Sequence, residues 1–134
     1  MTAAAYDIQL EQGEDWSPVW TMTWSNGAPF NLTGYSAHLQ IRTTFYAATP
    51  LLDLHSSNGG LILGGSAGTV QPVMSAAQSA ALSSGQVALP LILNGRQVFK
   101  LGVYDLKVTD TGGKVSTLMG GNVYLAPQVT VGGS

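Results

Sequence analysis

The sequence predicts an all-β fold, a sandwich or small barrel of eight to ten short strands. Apolar and polar residues alternate with period two in several segments, as in strands with one face on a core. Turn dipeptides rich in Gly and Asn punctuate these segments at short intervals. At 134 residues the length fits one domain, which can bury about two-thirds of its unfolded surface without disulfides or metals. No domain boundary or internal repeat is visible, so residues 1–134 are read as a single unit.

The strands follow in chain order. Trp16, Pro18, Trp20, Met22 and Trp24 form one alternating set with Ser17, Thr21 and Thr23 opposite, and Asn26-Gly27 closes it as a turn. Residues 35–42 alternate without a fault, from Tyr35 to Arg42. Short strands are expected at 51–55 and 61–63, separated by Ser56-Ser57-Asn58-Gly59-Gly60, and another at 69–74, where Pro72 predicts an edge position. Ser75 as N-cap and Gly85 as stop delimit the one expected helix, about two turns from Ser75 to Leu82, which packing must hold in place. Residues 87–93, the turn Asn94-Gly95 and residues 97–101 read as a hairpin. Tyr104, Leu106 and Val108 alternate with Asp105, Lys107 and Thr109, and a loop at 110–114 leads into a strand at 115–119. Gly120-Gly121 interrupts, and extended segments at 123–125 and 128–131 complete the chain.

Charge is scarce. Five Lys and Arg stand against seven Asp and Glu, 9% of the chain, where about 25% is usual. Hydrophobic content is 45%, so disorder, which needs low hydrophobicity and high net charge, is excluded. A net charge of −2 and scattered cations predict no nucleic-acid partner, because phosphates need a basic stripe. Cysteine is absent, which removes disulfides and thiolate metal sites. The start lacks a basic segment followed by an apolar run, which predicts cytosolic synthesis without a signal peptide. The longest nearly apolar stretch, 87–93, is too short to span a bilayer, so no membrane partner is expected. Acids cluster before residue 16, bases after residue 95, and no charged side chain lies between residues 54 and 95. A surface so unguarded against self-association suits burial against neighbours.

Few constellations carry chemistry. Gly64-Gly65-Ser66-Ala67-Gly68 matches a nucleophile elbow in letters, but a strand rather than a helix follows the serine, and a glycine-rich loop is the favoured reading. Asp53 and His55, two apart on one strand face, make half of a metal site, with further ligands missing from nearby positions. They and His38 are read as polar teeth of exposed strand faces. Glu11, Glu14 and Asp15 lack the alternating oxygen ligands of a calcium loop and read as a solvated turn. Asn31-Leu32-Thr33 is a glycosylation sequon without meaning unless the chain is secreted. Trp16, Trp20 and Trp24 can be core, an interface anchor or a sugar-stacking platform, with core the leading reading. No catalytic set, metal or cofactor is expected.

Several segments together carry a resemblance. They are Leu10-Glu11-Gln12-Gly13-Glu14-Asp15-Trp16, Asn31-Leu32-Thr33-Gly34-Tyr35, Asn58-Gly59-Gly60-Leu61, Tyr104-Asp105-Leu106-Lys107-Val108 and Gly121-Asn122-Val123. Over most of its length the chain resembles small structural proteins of tailed bacteriophages, similar to the N-terminal domain of phage baseplate upper proteins. The resemblance implies an immunoglobulin-like antiparallel sandwich. It also implies a non-enzymatic virion component of the tail or baseplate, an adaptor whose partners are other virion proteins and copies of itself. A capsid decoration protein, or a carbohydrate-binding module using the tryptophan face, is the alternative. The family usually passes quickly from the helical turn to the Tyr-Asp-Leu strand, whereas this chain inserts residues 86–102. Its first arm, 87–93, carries no charge and suits strand addition to a neighbour. A protein interface is therefore expected at Val87, Leu89, Leu91, Leu93, Val98 and Phe99, together with Trp16 and Trp20.

Overall fold

The computed structural model describes residues 4–24, 26–44, 49–82, 91–93 and 96–126. Its elements are β1 (Ala4–Ala5), β2 (Ile8–Glu11), β3 (Trp20–Thr21), β4 (Ser36–Arg42), β5 (Leu52–His55), β6 (Leu61–Leu63), β7 (Thr69–Pro72), α1 (Ala76–Ala81), β8 (Leu91–Leu93), β9 (Arg96–Thr109) and β10 (Val115–Ala126). The expected all-β sandwich is what forms. One sheet has seven strands with the path β1-β10-β9-β4-β5, β2 also pairing with β10 and β8 with β9. The other has three, in the order β3-β7-β6.

Alternation places the core between the sheets. In β4 the residues Ala37, Leu39 and Ile41 point inward and are buried, while His38, Gln40 and Arg42 face out. Leu10, Leu106, Val108, Val123 and Leu125 of the larger sheet join Leu61, Val70 and Met74 of the smaller sheet's side in one apolar cluster. Each such fully buried aliphatic side chain contributes about 1.5–3 kcal/mol relative to exposure.

The long strands differ from the sequence expectation. Residues 97–101 and 104–109 belong to one strand, β9, and 115–119 and 123–125 to another, β10, so the inserted hairpin's second arm is the start of the Tyr104-Asp105-Leu106 strand. Register shifts at Leu118 and at Leu101 explain why the alternation breaks. A bulge adds one residue to one strand and turns the pleat, so Leu118 and Met119 are both buried, as are Leu101 through Tyr104. β8 pairs with the first residues of β9, Leu93 opposite Arg96 and Leu91 opposite Val98.

The tryptophan segment also forms less strand than its alternation predicts. Only Trp20–Thr21 pairs regularly, with Val70 and Thr69, and Trp16 and Thr23 make isolated bridges to Met74 and Pro29. Pro72, expected on an edge, ends the central strand β7. It pairs with Leu61 of β6, but it lies beyond the two residues that β3 engages, so its missing N–H interrupts no ladder on that side.

Local signals hold where the chemistry is local. Asn31 Oδ1 accepts from the Thr33 amide at 3.0 Å and Gly34 adopts φ 80°, forming a turn with Leu32 buried beneath it. Ser75 caps α1, its Oγ accepting from Gln78 N, while Gln78 Oε1 accepts from Ser75 N. The acidic turn docks on this helix. Asp15 Oδ1 accepts from the Ala76 amide at 2.7 Å, and Gln12 Nε2 donates to the Leu82 carbonyl at 2.8 Å.

Candidate functional site

The outer face of the larger sheet carries the polar teeth of β4, β5 and β9. Antiparallel pairing sets His38 directly opposite His55 and Gln40 opposite Asp53. The two imidazoles stack with centroids 3.8 Å apart and 20° between planes. Asp53, two residues before His55, projects from the same face, and its Oδ1 receives both rings: His38 Nε2 at 2.5 Å and His55 Nε2 at 3.0 Å. The other carboxylate oxygen, Oδ2, accepts from Gln40 Nε2 at 3.2 Å, and Gln40 Oε1 accepts from Arg42 Nη2 at 2.6 Å. The three side chains are each about 40% exposed.

Burial pushes the Asp53 carboxyl up. The hydrogen bond from His38, then that from Gln40, then the charges of the two histidines outweigh this and hold it below the usual carboxylate range. Asp53 is thus a carboxylate with two imidazole nitrogens aimed at one oxygen. Along the sequence Asp53 and His55 have no third ligand nearby. His38 supplies it across the β4–β5 pairing, 17 residues away along the chain.

A groove of about 360 Å³ runs from this cluster across the sheet, lined by His38, Gln40, Arg42, Val103, Asp105 and Lys107 with Tyr104 beneath. It holds both charge signs.

Ser66 sits in a single 3₁₀ turn, Gly65–Ala67, that joins β6 to β7 in an antiparallel hairpin. This is the glycine-rich loop between strands, without the strand-to-helix turn of a nucleophile elbow.

Of the eight residues expected at an interface, Leu91, Leu93, Val98 and Phe99 lie in strands of the larger sheet and Trp20 in the smaller one. Val87 and Leu89 lie outside the described residues. Leu91 and Leu93 are on β8, and their side chains lie outside the description as well. Val98 is fully buried within the chain, so its side chain offers no surface, and Phe99 is half-buried opposite Leu125. The bulge at Leu101 sets Phe99, opposite the core residue Leu125, on the inner face of β9, and Val98 on the other face with Lys100. Trp16 and Trp20 are half-buried against the core and meet edge to face, centroids 5.8 Å apart, with Tyr6 packing on Trp20 at 6.0 Å. Trp20 Nε1 points inward and has no partner among the described residues. Trp24 stands apart, 47% exposed and stacked on Phe30.

No protein-family model matches the chain, and no curated protein matches it. Among solved structures, Tim-1 is similar over 97% of this chain and 98% of its own, at 10% identity and a TM-score of 0.37.

Proposed function

We propose that this chain is a non-catalytic structural component of a tailed-phage virion, a tail or baseplate adaptor that joins neighbouring proteins by protein–protein contacts. The observation that carries this reading is the segregation of charge between the sheets. Every strand of the three-stranded sheet is free of charged side chains, and so are the stretches 16–41 and 54–95 that contain them. Its outward positions are Thr21, Thr69, Gln71 and Ile62, the last 52% exposed. Charged side chains sit instead on the larger sheet and the turns. A face with no charge to desolvate is what a covered surface needs, since interface centres are depleted of charge. The phage assignment itself rests on the sequence resemblance.

A capsid decoration protein would need the same uncharged face and is the second reading. The sugar-platform reading is disfavoured, because Trp16 and Trp20 meet at 70° rather than lying coplanar, and the one polar atom of Trp20 is buried. The test is location. Antibody labelling of assembled particles should decorate the tail tip at a fixed copy number. Labelling over the capsid selects the decoration reading, and particles that are complete and infective without the protein overturn both.

A further inference from the structure

We propose that His38, Asp53 and His55 form a three-ligand site for one divalent transition-metal ion of the zinc class on the outer face of the larger sheet. The chain has two histidines, and the fold stacks them on one another. Their Nε2 atoms both aim at Oδ1 of the same aspartate, and one donor atom from each of the three residues lies within 4.8 Å of the others. Zinc takes imidazole nitrogen and carboxylate oxygen at about 2.0–2.2 Å, so its donors stand roughly 3–3.5 Å apart. The observed contacts of 2.5 and 3.0 Å reach that spacing by small rotations of exposed side chains. The Cα positions are already fixed by the β4–β5 ladder.

Two further observations separate this cluster from chance surface polarity. Ligating carboxylates are characteristically held by an outer hydrogen bond, and here Gln40 holds the Asp53 oxygen that the histidines do not use. Arg42 in turn holds Gln40. The ligand set is also incomplete in a defined way: imidazole, imidazole and carboxylate leave a coordination position open, and the exposure of all three directs it to solvent or to a donor from another molecule. Metal binding through Nε2 requires both rings as neutral imidazoles with the proton on Nδ1. Nothing in this proposal depends on the phage reading.

The experiment uses untagged full-length protein freed of metal by chelation and titrated with zinc chloride, with magnesium chloride as the control. Long-range ¹H–¹⁵N spectra of the two imidazoles report the site directly. The expected result is saturation at one zinc per chain, with the Nε2 signals of His38 and His55 shifting together and no response to magnesium. Calorimetry should show a loss of affinity of at least tenfold for Asp53→Asn and about tenfold for Gln40→Ala, which leaves the three ligands intact. Circular dichroism checks that each variant is folded. Zinc that leaves both imidazole signals unmoved in the wild-type protein overturns the proposal, whatever the variants do. Equal zinc affinity in wild type and a folded His38→Ala, His55→Ala double variant overturns it as well.

Discussion

The Tyr104 hydroxyl donates to the main-chain carbonyl of Tyr6 at 2.6 Å, joining the centre of β9 to the segment between β1 and β2 across 98 residues of sequence. The Tyr6 amide donates in turn to the Gly120 carbonyl, and Asp7 Oδ1 accepts from Asn122 N at 2.9 Å. These bonds bridge the gap between the two short strands that run parallel to β10. Tyr104→Phe keeps the buried ring but leaves that carbonyl without its donor. The expected cost is about 1–2 kcal/mol, read as a lower urea midpoint with unchanged slope. Faster amide exchange at Ile8 and Leu10 should accompany it.

The same residue makes stability depend on alkaline pH. Burial of Tyr104, reinforced by Tyr6 and Asp7, pushes its phenol far above the ordinary value of 10.0. A folded-state value raised above the unfolded one means the contribution is complete below pH 10 and is lost as pH climbs toward the raised value, because the unfolded chain ionises first. Urea unfolding at pH 8 and pH 11 should show a larger loss in the wild type than in Tyr104→Phe. Equal losses in the two proteins would show that the phenol is free to ionise in place.

Ser79 is the one polar residue fully buried among those described. Its Oγ donates to the Glu14 carbonyl at 2.8 Å and accepts from the Gly13 amide at 2.9 Å, fastening α1 to the acidic turn. A helix of six residues does not hold itself together in water, so this attachment sets its position. Ser79→Ala strands both main-chain groups, at about 1–3 kcal/mol. Denaturant titration measures that loss, and accelerated exchange of the Gly13 amide would locate it.

What the sequence disclosed divides by range. The turn at Asn31–Gly34, the Ser75 cap and the period-two face of β4 were legible because each is decided within a few residues by hydrogen bonds and burial. The continuity of β9 and β10 was not, because bulges at Leu101 and Leu118 reset the alternation that marks a strand. Nor was the metal-type cluster. His38 meets Asp53 and His55 only through the β4–β5 register, and a shift of one residue would turn His38 to the opposite face. A period-two strand with His at an outward position, followed by a second carrying Asp-x-His, was the available signal. It lacked only the pairing.

Gly102 shows the same dependence on pairing. A Cβ built there would stand 2.0 Å from the Arg42 carbonyl oxygen, where β9 crosses close to the end of β4. That contact is with main chain, which cannot step aside without separating the two strands. Gly102→Ala is expected to cost about 3 kcal/mol or more. Gly112→Ala is the matched control. Its nearest neighbour would be Asp110 Oδ1 at an ordinary 3.4 Å, and the change should stay within about 0.5 kcal/mol. Thermal unfolding of the two variants side by side tests the contrast.

The uncharged sheet yields the prediction closest to function. Ile62 lies on β6, an edge strand, with its side chain 52% exposed opposite Gln71 on the outward face. Ile62→Lys adds a solvated charge to a site that is already half in water, so folding stability should change by about 0.5 kcal/mol or less. In an assembled particle the same lysine would have to be desolvated without a partner, and truncated or mispaired charges at interfaces cost several kcal/mol. Incorporation into particles should therefore fall at least tenfold while the isolated protein keeps its melting temperature. Lys114→Ile, a change on the hairpin loop between β9 and β10, should leave incorporation as it was. Should the Ile62→Lys chain enter particles as well as the wild type does, the charge-free sheet is not the contact surface, and the adaptor reading loses the observation that carries it.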